Sequence, residues 1–232
     1  MFSRKNISAA LAITLLIPSL ALAQPQAQHK VDNMAQIGDL PFQMVESDGK
    51  TFFMSSNGRY VIQGEMTDMW ANKKPIATVE DLVQSVNTVD FSAIGLDMED
   101  LLHLKYGYGP EKVTIFVAPG CGYCKNALKQ MKGLESKYTF QVVPLPIMGP
   151  RSEDALRRIA CNYKDKPELS LAAVLSDHYD DLKISGDCDV EPVARALVTA
   201  QILGINSVPV IIDQKNRMSK GAPPSLAEHL AR

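Results

Sequence analysis

The sequence predicts an α+β protein in which a small N-terminal antiparallel β domain is joined by a helical linker to a C-terminal α/β domain. Two strand-like runs flank Asn57-Gly58, a pair that tolerates positive φ and is typical of a β-hairpin. Further on, the apolar run VTIFVA is typical of a buried strand, and helical and strand-like patterns alternate after it. The predicted divisions are residues 24–76, 77–108 and 109–232.

Residues 1–23 have the pattern of a cleaved export signal. Arg4 and Lys5 precede an apolar stretch, and residues 21–23 (Ala-Leu-Ala) have the small-x-small pattern of a cleavage site. A membrane anchor is the alternative. The apolar stretch is short for a span, Pro18 interrupts it, and no basic stop-transfer flank follows. The sequence therefore predicts an exported protein.

The composition is that of an ordinary globular protein. Hydrophobic residues make up 46% of the chain, which is enough for a packed core. The formal net charge is −2, so electrostatics give no reason to expect a nucleic-acid or membrane-surface partner.

The N-terminal segment, roughly residues 31–74, is too small to bury a strong core alone. A second turn is predicted at Asp48-Gly49, and the resulting strand edges need another domain or another chain to cover them. The segment is rich in methionine, which either fills gaps in a thin core or forms an adaptable apolar binding surface. These methionines are Met44, Met54, Met66 and Met69.

The predicted linker contains two helical patterns. Thr78 can cap the run VEDLVQSV, whose apolar residues recur at helical spacing. The predicted buried residues of this helix are Val79, Leu82, Val83 and Val86. A second helix is predicted over residues 97–106 (DMEDLLHLKY), with acidic residues in its first turn. The Gly107–Pro110 segment lacks a preceding strand and a following helix, so it predicts a hinge or boundary rather than a dinucleotide site.

The C-terminal part predicts a strand, a CxxC-bearing helix, a second strand, several helices, a strand with a proline, and a last helix. This is the order of a thioredoxin-like domain. After VTIFVA the predicted helices cover residues 124–138, 152–163, 167–176, 190–204 and 223–232, and the predicted strands cover residues 139–147 and 205–213.

Cys121 and Cys124 lie two residues apart at the start of a predicted helix. Residues at i and i+3 on a helix are neighbours at about 5–6 Å, which suits a disulfide. The helix N-terminus stabilises a thiolate at Cys121, which favours nucleophilic attack, and Cys124 is placed to resolve a mixed disulfide. The pair is therefore predicted to be a redox-active disulfide that needs no metal or other cofactor.

Two other interpretations of the pair are weaker. A zinc site would need a second ligand pair, and Cys161 and Cys188 do not have CxxC spacing. A permanent staple across so short a loop constrains the unfolded chain little. Cys161 and Cys188 are instead predicted to form a structural disulfide, worth about 3–4 kcal/mol in the chain-entropy treatment.

Pro209 begins the strand-like run VPVII, where a proline is confined to a strand start or an edge strand. In thioredoxin-like domains a proline at this position is cis and faces the CxxC pair. The likeness implies that the residue before it, Val208, offers backbone groups to an extended peptide substrate.

Taken together, these motifs resemble the DsbC/DsbG group of periplasmic thiol:disulfide interchange proteins. The motifs are NGRYVIQGEMTDM, VTIFVAPGCGYCK, IACNYKD with GDCDV, LGINSVPVII and GAPPSLAEHL. Gly122 and Tyr123 between the cysteines match the isomerase branch. Two departures are Val208, where threonine is common, and Gly120 before the first cysteine.

The resemblance implies a periplasmic V-shaped homodimer whose N-terminal domains dimerise and whose two CxxC sites face an apolar cleft. The implied function is protein disulfide isomerase or reductase on misfolded, disulfide-bonded exported proteins, with a membrane reductase of the DsbD type as electron source. Alternatives are a dithiol oxidase, a holdase chaperone, and an assembly factor dedicated to one client. The extra N-terminal domain favours isomerase or reductase, because an oxidase needs only the CxxC domain.

Overall fold

The computed structural model describes residues 30–184, 186 and 188–232. The predicted export signal, residues 1–23, lies outside the described residues and stays a prediction. Across the described ranges, no helix is long and apolar enough to cross a membrane.

The N-terminal part consists of a four-stranded antiparallel sheet and a separate two-stranded hairpin. The sheet contains β1 (Val31–Gln36), β2 (Phe42–Ser47), β3 (Lys50–Ser55) and β4 (Val61–Ile62), and the hairpin contains β5 (Met66–Asp68) and β6 (Lys74–Ile76). The predicted turn at Asp48-Gly49 joins β2 to β3, with φ of 51° and 71°. Asn57-Gly58 lies in a longer loop between β3 and β4, so the second predicted hairpin is confirmed as well.

Helix α1 (Val79–Val86) packs on this sheet. It begins where predicted, because the Thr78 side chain accepts a hydrogen bond from the Asp81 N–H at 3.1 Å in a capping box. Val79 and Leu82 are buried against a small core made by Met44, Phe53 and Ile76. Val83 is 45% exposed, so the prediction that it is buried is wrong. The sheet covers only one side of the helix.

The predicted methionine-rich core is mixed in its exposure. Met44 is fully buried beneath α1, and Met66 is partly buried against the same core. Met54 is partly buried, whereas Met69 is 65% exposed. Gap-filling in the core therefore describes Met44 and Met66, whereas a binding role for the exposed Met69 stays a prediction.

The predicted second helix over residues 97–106 is wrong. Only Met98–Asp100 form a single 3-10 turn, and Leu104–Tyr106 form strand β7. Strand β7 pairs antiparallel with β9 (Tyr138–Pro144), so hydrogen bonds to a distant strand replace those of a local helix. Local sequence patterns cannot report this pairing.

The C-terminal part is built on a five-stranded mixed sheet in the order β11-β10-β8-β9-β7. Its other strands are β8 (Glu111–Val117), β10 (Val210–Ile212) and β11 (Met218–Lys220). Strands β8 and β9 are parallel, and the other neighbours are antiparallel. The predicted fold class, with an N-terminal antiparallel domain followed by a larger α/β domain, is confirmed.

Both faces of this sheet are buried. The helices are α2 (Gly122–Lys129), α3 (Pro150–Ala160), α4 (Pro167–Ser176), α5 (Glu191–Ile202) and α6 (Leu226–Ala231). Helices α2, α3, α4 and α6 contribute to the core on one face, and α5 to the core on the other. Because β8 has no solvent-facing side, its central residues form the continuous apolar run seen in the sequence.

Helix α2 is shorter than predicted. The pattern predicts a helix over residues 124–138, whereas α2 ends at Lys129. Gly133 adopts a φ of 87°, and its N–H donates to the Glu135 carboxylate at 2.7 Å. After Lys129 the backbone continues in tighter turns, with the Met131 N–H donating to the Leu128 carbonyl, and the left-handed Gly133 then redirects the chain toward β9.

Residues 87–101 pack on the C-terminal sheet. Thr88 bridges to Arg217 in the loop before β11, and Val89 and Leu101 are buried in the same core as Phe116 and Ile212. A fragment starting near Asp97 would therefore lose part of this core. The three domain boundaries themselves stay predictions.

The predicted hinge at Gly107–Pro110 is wrong, because this segment is tightly packed. The N–H groups of Tyr108 and Gly109 donate to the Glu135 carbonyl at 2.9 and 3.0 Å. The Tyr106 hydroxyl donates to the Glu135 carboxylate, and this bond together with burial raises the pKa of Tyr106 to about 12. A Cβ added to Gly109 would lie 2.0 Å from the Lys137 carbonyl carbon.

We expect Gly109→Ala to lower the free energy of unfolding by at least about 2–3 kcal/mol, because backbone atoms must move to admit the methyl group. Gly122→Ala is the matched control, since among the described residues no atom lies within 4 Å of its added Cβ. Chemical denaturation of both variants measures the difference. Equal stability of the two variants would show that the Gly107–Pro110 segment is loose.

Candidate redox site

Cys121 and Cys124 lie just beyond the carboxyl end of β8, on the first turn of α2. They form a disulfide, with their Cα atoms 5.2 Å apart. Cys121 is the N-cap residue, and its sulfur accepts a hydrogen bond from the Cys124 N–H at 3.1 Å. The sulfur of Cys121 therefore sits where the unpaired N–H groups and the helix dipole stabilise negative charge.

The two sulfurs differ in access. Cys124 is 1% exposed and Cys121 is 8% exposed, so Cys121 is the outer residue of the pair. Gly122 and Tyr123 between them are exposed, and the Tyr123 side chain is 76% exposed beside Cys121. An incoming disulfide reaches Cys121 first.

The peptide bond between Val208 and Pro209 is cis, and it faces the cysteine pair. The Val208 carbonyl oxygen lies 3.7 Å from the Cys121 sulfur, although 87 residues separate them in sequence. Pro209 immediately precedes β10, which lies between β8 and β11. The edge-strand interpretation of this proline is therefore wrong.

A shallow groove passes over the outer sulfur. It is lined by Cys121, Gly122, Tyr123, Asn126, Ile147, Met148, Asn206, Ser207 and Val208. Ile147 and Met148 are 38% and 53% exposed at the end of β9, and sequence reasoning missed them as site residues. The predicted strand over residues 139–147 ends at Pro144, which leaves Ile147 in the following loop. The signal that was missed is an apolar pair directly before Gly149-Pro150, where polar residues are expected.

The loop before the cysteines is tied to the end of α4. Gly120 has a φ of 83°, a conformation that favours glycine, which explains this departure from the family pattern. The Gly120 N–H donates to Oδ1 of Asp177 at 2.9 Å, and Oδ2 of Asp177 lies 3.3 Å from the Lys125 Nζ. Sequence reasoning missed Asp177, whose signal was an acidic residue at the end of a predicted helix.

Cys161 and Cys188 form the second disulfide, with their Cα atoms 4.7 Å apart. Cys161 is the C-cap residue of α3, where the negative end of the helix dipole disfavours a thiolate. The bond joins α3 to the segment before α5. Its predicted role as a structural staple suits this position.

No group of three or more histidine, cysteine, aspartate or glutamate side chains that could hold a metal ion occurs within the part of the chain that the structure describes. The site is a disulfide-bonded cysteine pair beside an exposed groove.

Comparison with known proteins agrees with this geometry. Residues 9–80 match the family described as the disulfide bond isomerase protein N-terminal domain. A curated relative from Bordetella avium, described as "Probable thiol:disulfide interchange protein DsbC", is 26% identical over 192 residues. That match covers 81% of this chain but 65% of the relative, so the chain spans just under two thirds of the relative's length.

Two solved structures share the fold. Proteus mirabilis ScsC in a compact conformation is 17% identical with a TM-score of 0.52, covering 60% of this chain and 76% of that one. The thiol-disulfide exchange protein alpha-DsbA2 from Wolbachia pipientis is 18% identical with a TM-score of 0.53, covering 67% of this chain and 98% of that one. The predicted resemblance to thiol:disulfide interchange proteins of the DsbC type is confirmed, and the chain shares its fold with these two structures.

We expect Cys121 alone, of the four cysteines, to react rapidly with an alkylating agent after mild reduction at neutral pH. Its sulfur is at a helix N-terminus and faces the groove, whereas Cys124 is deeper and Cys161 is at a helix C-terminus. Peptide mapping after a short pulse of iodoacetamide measures the labelling. Equal labelling of Cys161 or Cys188 would contradict the assignment of the second disulfide as a staple.

Proposed function

We propose that this protein is a periplasmic thiol:disulfide interchange enzyme that reduces and isomerises disulfides in exported proteins. The observation that carries the proposal is the placement of the Cys121 sulfur. It accepts the Cys124 N–H at the N-terminus of α2 and faces both the cis Val208-Pro209 bond and an open groove. This arrangement favours a nucleophilic thiolate that can be reached by an extended peptide.

The reaction begins with the reduced pair. The Cys121 thiolate attacks one sulfur of a substrate disulfide, forming a mixed disulfide and releasing the other substrate sulfur as a thiolate that takes a proton from water. Cys124, as a thiolate, then attacks the Cys121 sulfur. The Cys121–Cys124 disulfide forms, and the second substrate thiol leaves. The substrate gains two electrons and the protein loses two.

Isomerisation uses the first half of this reaction. The released substrate thiolate attacks a different disulfide of the same client. The chain of exchanges ends when a substrate thiolate attacks the mixed disulfide and Cys121 leaves as a free thiolate. No net oxidant or reductant is consumed. A turnover that ends in net reduction of the client, by contrast, leaves the Cys121–Cys124 disulfide, and a membrane reductase of the DsbD type is the proposed source of the electrons that reduce it again.

The groove supplies client binding by shape and apolar contact. Tyr123, Ile147 and Met148 offer exposed apolar area in the groove, and Val208 offers backbone groups beside the sulfur. Pairing to backbone groups is indifferent to sequence, which suits an enzyme that acts on misfolded clients.

The N-terminal sheet supports a homodimer. Both of its outer strands carry exposed apolar residues: Val31 and Met34 on β1, and Val61 and Ile62 on β4. Exposed apolar edge strands are templates for pairing with another chain. Two copies joined there would present two redox sites to one client, which favours reshuffling over simple oxidation.

Refolding of a scrambled multi-disulfide protein tests the proposal. Catalytic amounts of the reduced protein should accelerate recovery of the native client, and Cys121→Ala should abolish the effect. Acceleration that survives Cys121→Ala would instead indicate a holdase. Activity only with the oxidised protein and a fully reduced client would indicate an oxidase.

We expect Cys124→Ala to accumulate mixed disulfides between Cys121 and its clients, because the resolving thiol is gone. Non-reducing electrophoresis after mixing with a disulfide-bonded client measures the trapped species. The Cys121→Ala protein is the control, and it should trap none. Release of client by Cys124→Ala as fast as by the wild type would overturn the assigned roles.

We expect Val61→Lys to weaken the homodimer at least about tenfold, because pairing would bury an unpartnered charge at the strand edge. Val83→Lys is the matched control, since Val83 is comparably exposed but lies on helix α1 rather than on a strand edge. Sedimentation equilibrium of the full chain measures dissociation. A monomeric wild type, or equal weakening by both substitutions, would contradict the proposed interface.

A further inference from the structure

An aspartate at position 177 is locally unfavourable for two reasons. It is the C-cap residue of α4 and adopts a left-handed conformation, with a φ of 56°, where glycine or asparagine is usual. Its carboxylate also stands at the negative end of the helix dipole. No requirement of α4 itself accounts for an aspartate there, so the compensating contacts must come from elsewhere.

Those contacts are with the redox loop. Oδ1 accepts the N–H of Gly120, the residue directly before the outer cysteine, and Oδ2 pairs with Lys125, the residue directly after the inner one. Asp177 therefore holds both flanks of the CxxC pair with one carboxylate. The side chain is 20% exposed, so solvent only partly screens its charge.

A small cleft connects this carboxylate to both sulfurs. It is lined by Cys121, Cys124, Lys125, Asp177 and Tyr179, with apolar side chains around them. The charged and titratable groups around the pair are Lys125 and the exposed Tyr123 on α2, and Asp177 and Tyr179 after α4. Arg151 on α3 acts on Tyr179 at longer range. Residues 206–208 of the cis-proline loop carry no charge.

The pKa of Tyr179 is also affected by Asp177. Burial first, and then the neighbouring Asp177 carboxylate, which accepts a hydrogen bond from the phenol, raise the pKa of Tyr179 above its usual value. The Asp177 carboxylate therefore borders the same cleft as the two sulfurs.

We propose that Asp177 is a positioning residue that sets the reactivity of Cys121: its carboxylate fixes the Gly120 loop, neutralises Lys125, and disfavours negative charge on the sulfur. This proposal rests on the proposed function of the same site. Loss of the Asp177 charge should therefore make the Cys121 thiolate more stable and the disulfide more oxidising, because Lys125 becomes an uncompensated cation.

The test uses the full chain carrying Asp177→Asn, Lys125→Met, or both. Asparagine tolerates the left-handed conformation and can still accept the Gly120 N–H, so Asp177→Asn removes the charge and leaves the loop contact. The rate of iodoacetamide reaction at Cys121 of the reduced protein is measured between pH 4 and pH 8, together with the equilibrium constant against glutathione and the thermal midpoint.

We expect Asp177→Asn to raise the alkylation rate on the acidic limb about twofold or more and to shift the glutathione equilibrium toward the dithiol. Lys125→Met should shift both in the opposite direction, and the double variant should return close to the wild type. An unchanged rate in Asp177→Asn, or shifts of the same sign in both single variants, would overturn the proposal. Such results would assign the contacts a purely structural role.

A wild type whose reduced Cys121 neither alkylates rapidly nor exchanges with glutathione would instead contradict the proposed function. Because that result is measured on the wild type alone, failure of the proposed function can be distinguished from failure of the Asp177 proposal. If Asp177→Asn lowers the thermal midpoint, Asp177→Gly separates the effects, since glycine removes the charge and also relieves the left-handed backbone.

Discussion

The pairing of β8 with its two neighbours is the constraint on which the candidate site depends. Strand β8 runs parallel to β9, in register from Glu111 opposite Tyr138 to Val117 opposite Pro144, so both strands end at the same edge of the sheet. Strand β10 runs antiparallel to β8 and begins at that edge, with Val210 opposite Phe116. The outer cysteine, the apolar loop after β9 and the cis-proline are therefore brought together by backbone hydrogen bonds rather than by contacts among themselves.

Features encoded within a few residues were predictable from the sequence. The Asp48-Gly49 turn, the Thr78 cap and the CxxC pair after a buried strand are local signals, because turn geometry, capping and helix-terminal charge are decided by neighbours in the chain. The resemblance to a known family added Pro209 facing the cysteines, which no local rule could supply. Both cysteines of the redox pair, and the cis-proline that faces them, could therefore be predicted from the sequence.

The failed predictions share a different cause. The segment that contains strand β7 looked helical because acidic residues occupy the first turn of the predicted helix, but the partner of β7 lies more than thirty residues further along the chain. The segment at Gly109 looked like a hinge because glycine permits motion, whereas here glycine permits close approach to Lys137. Asp177 contacts a loop 57 residues earlier. In each case the deciding contact is non-local, and local propensity was overridden by tertiary structure.

The two departures from the family pattern both adjoin the Cys121 sulfur, Gly120 by sequence and Val208 through its carbonyl oxygen. Gly120 is required by its left-handed backbone, and that conformation directs its N–H to Asp177 and away from the cysteine. Val208 has no hydroxyl to donate, and the group it presents to Cys121 is a carbonyl oxygen. Neither flank therefore supplies a hydrogen-bond donor to a thiolate. Stabilisation of charge at Cys121 rests on the Cys124 N–H and the α2 dipole, which leaves the reactivity of the site unusually sensitive to the balance between Lys125 and Asp177.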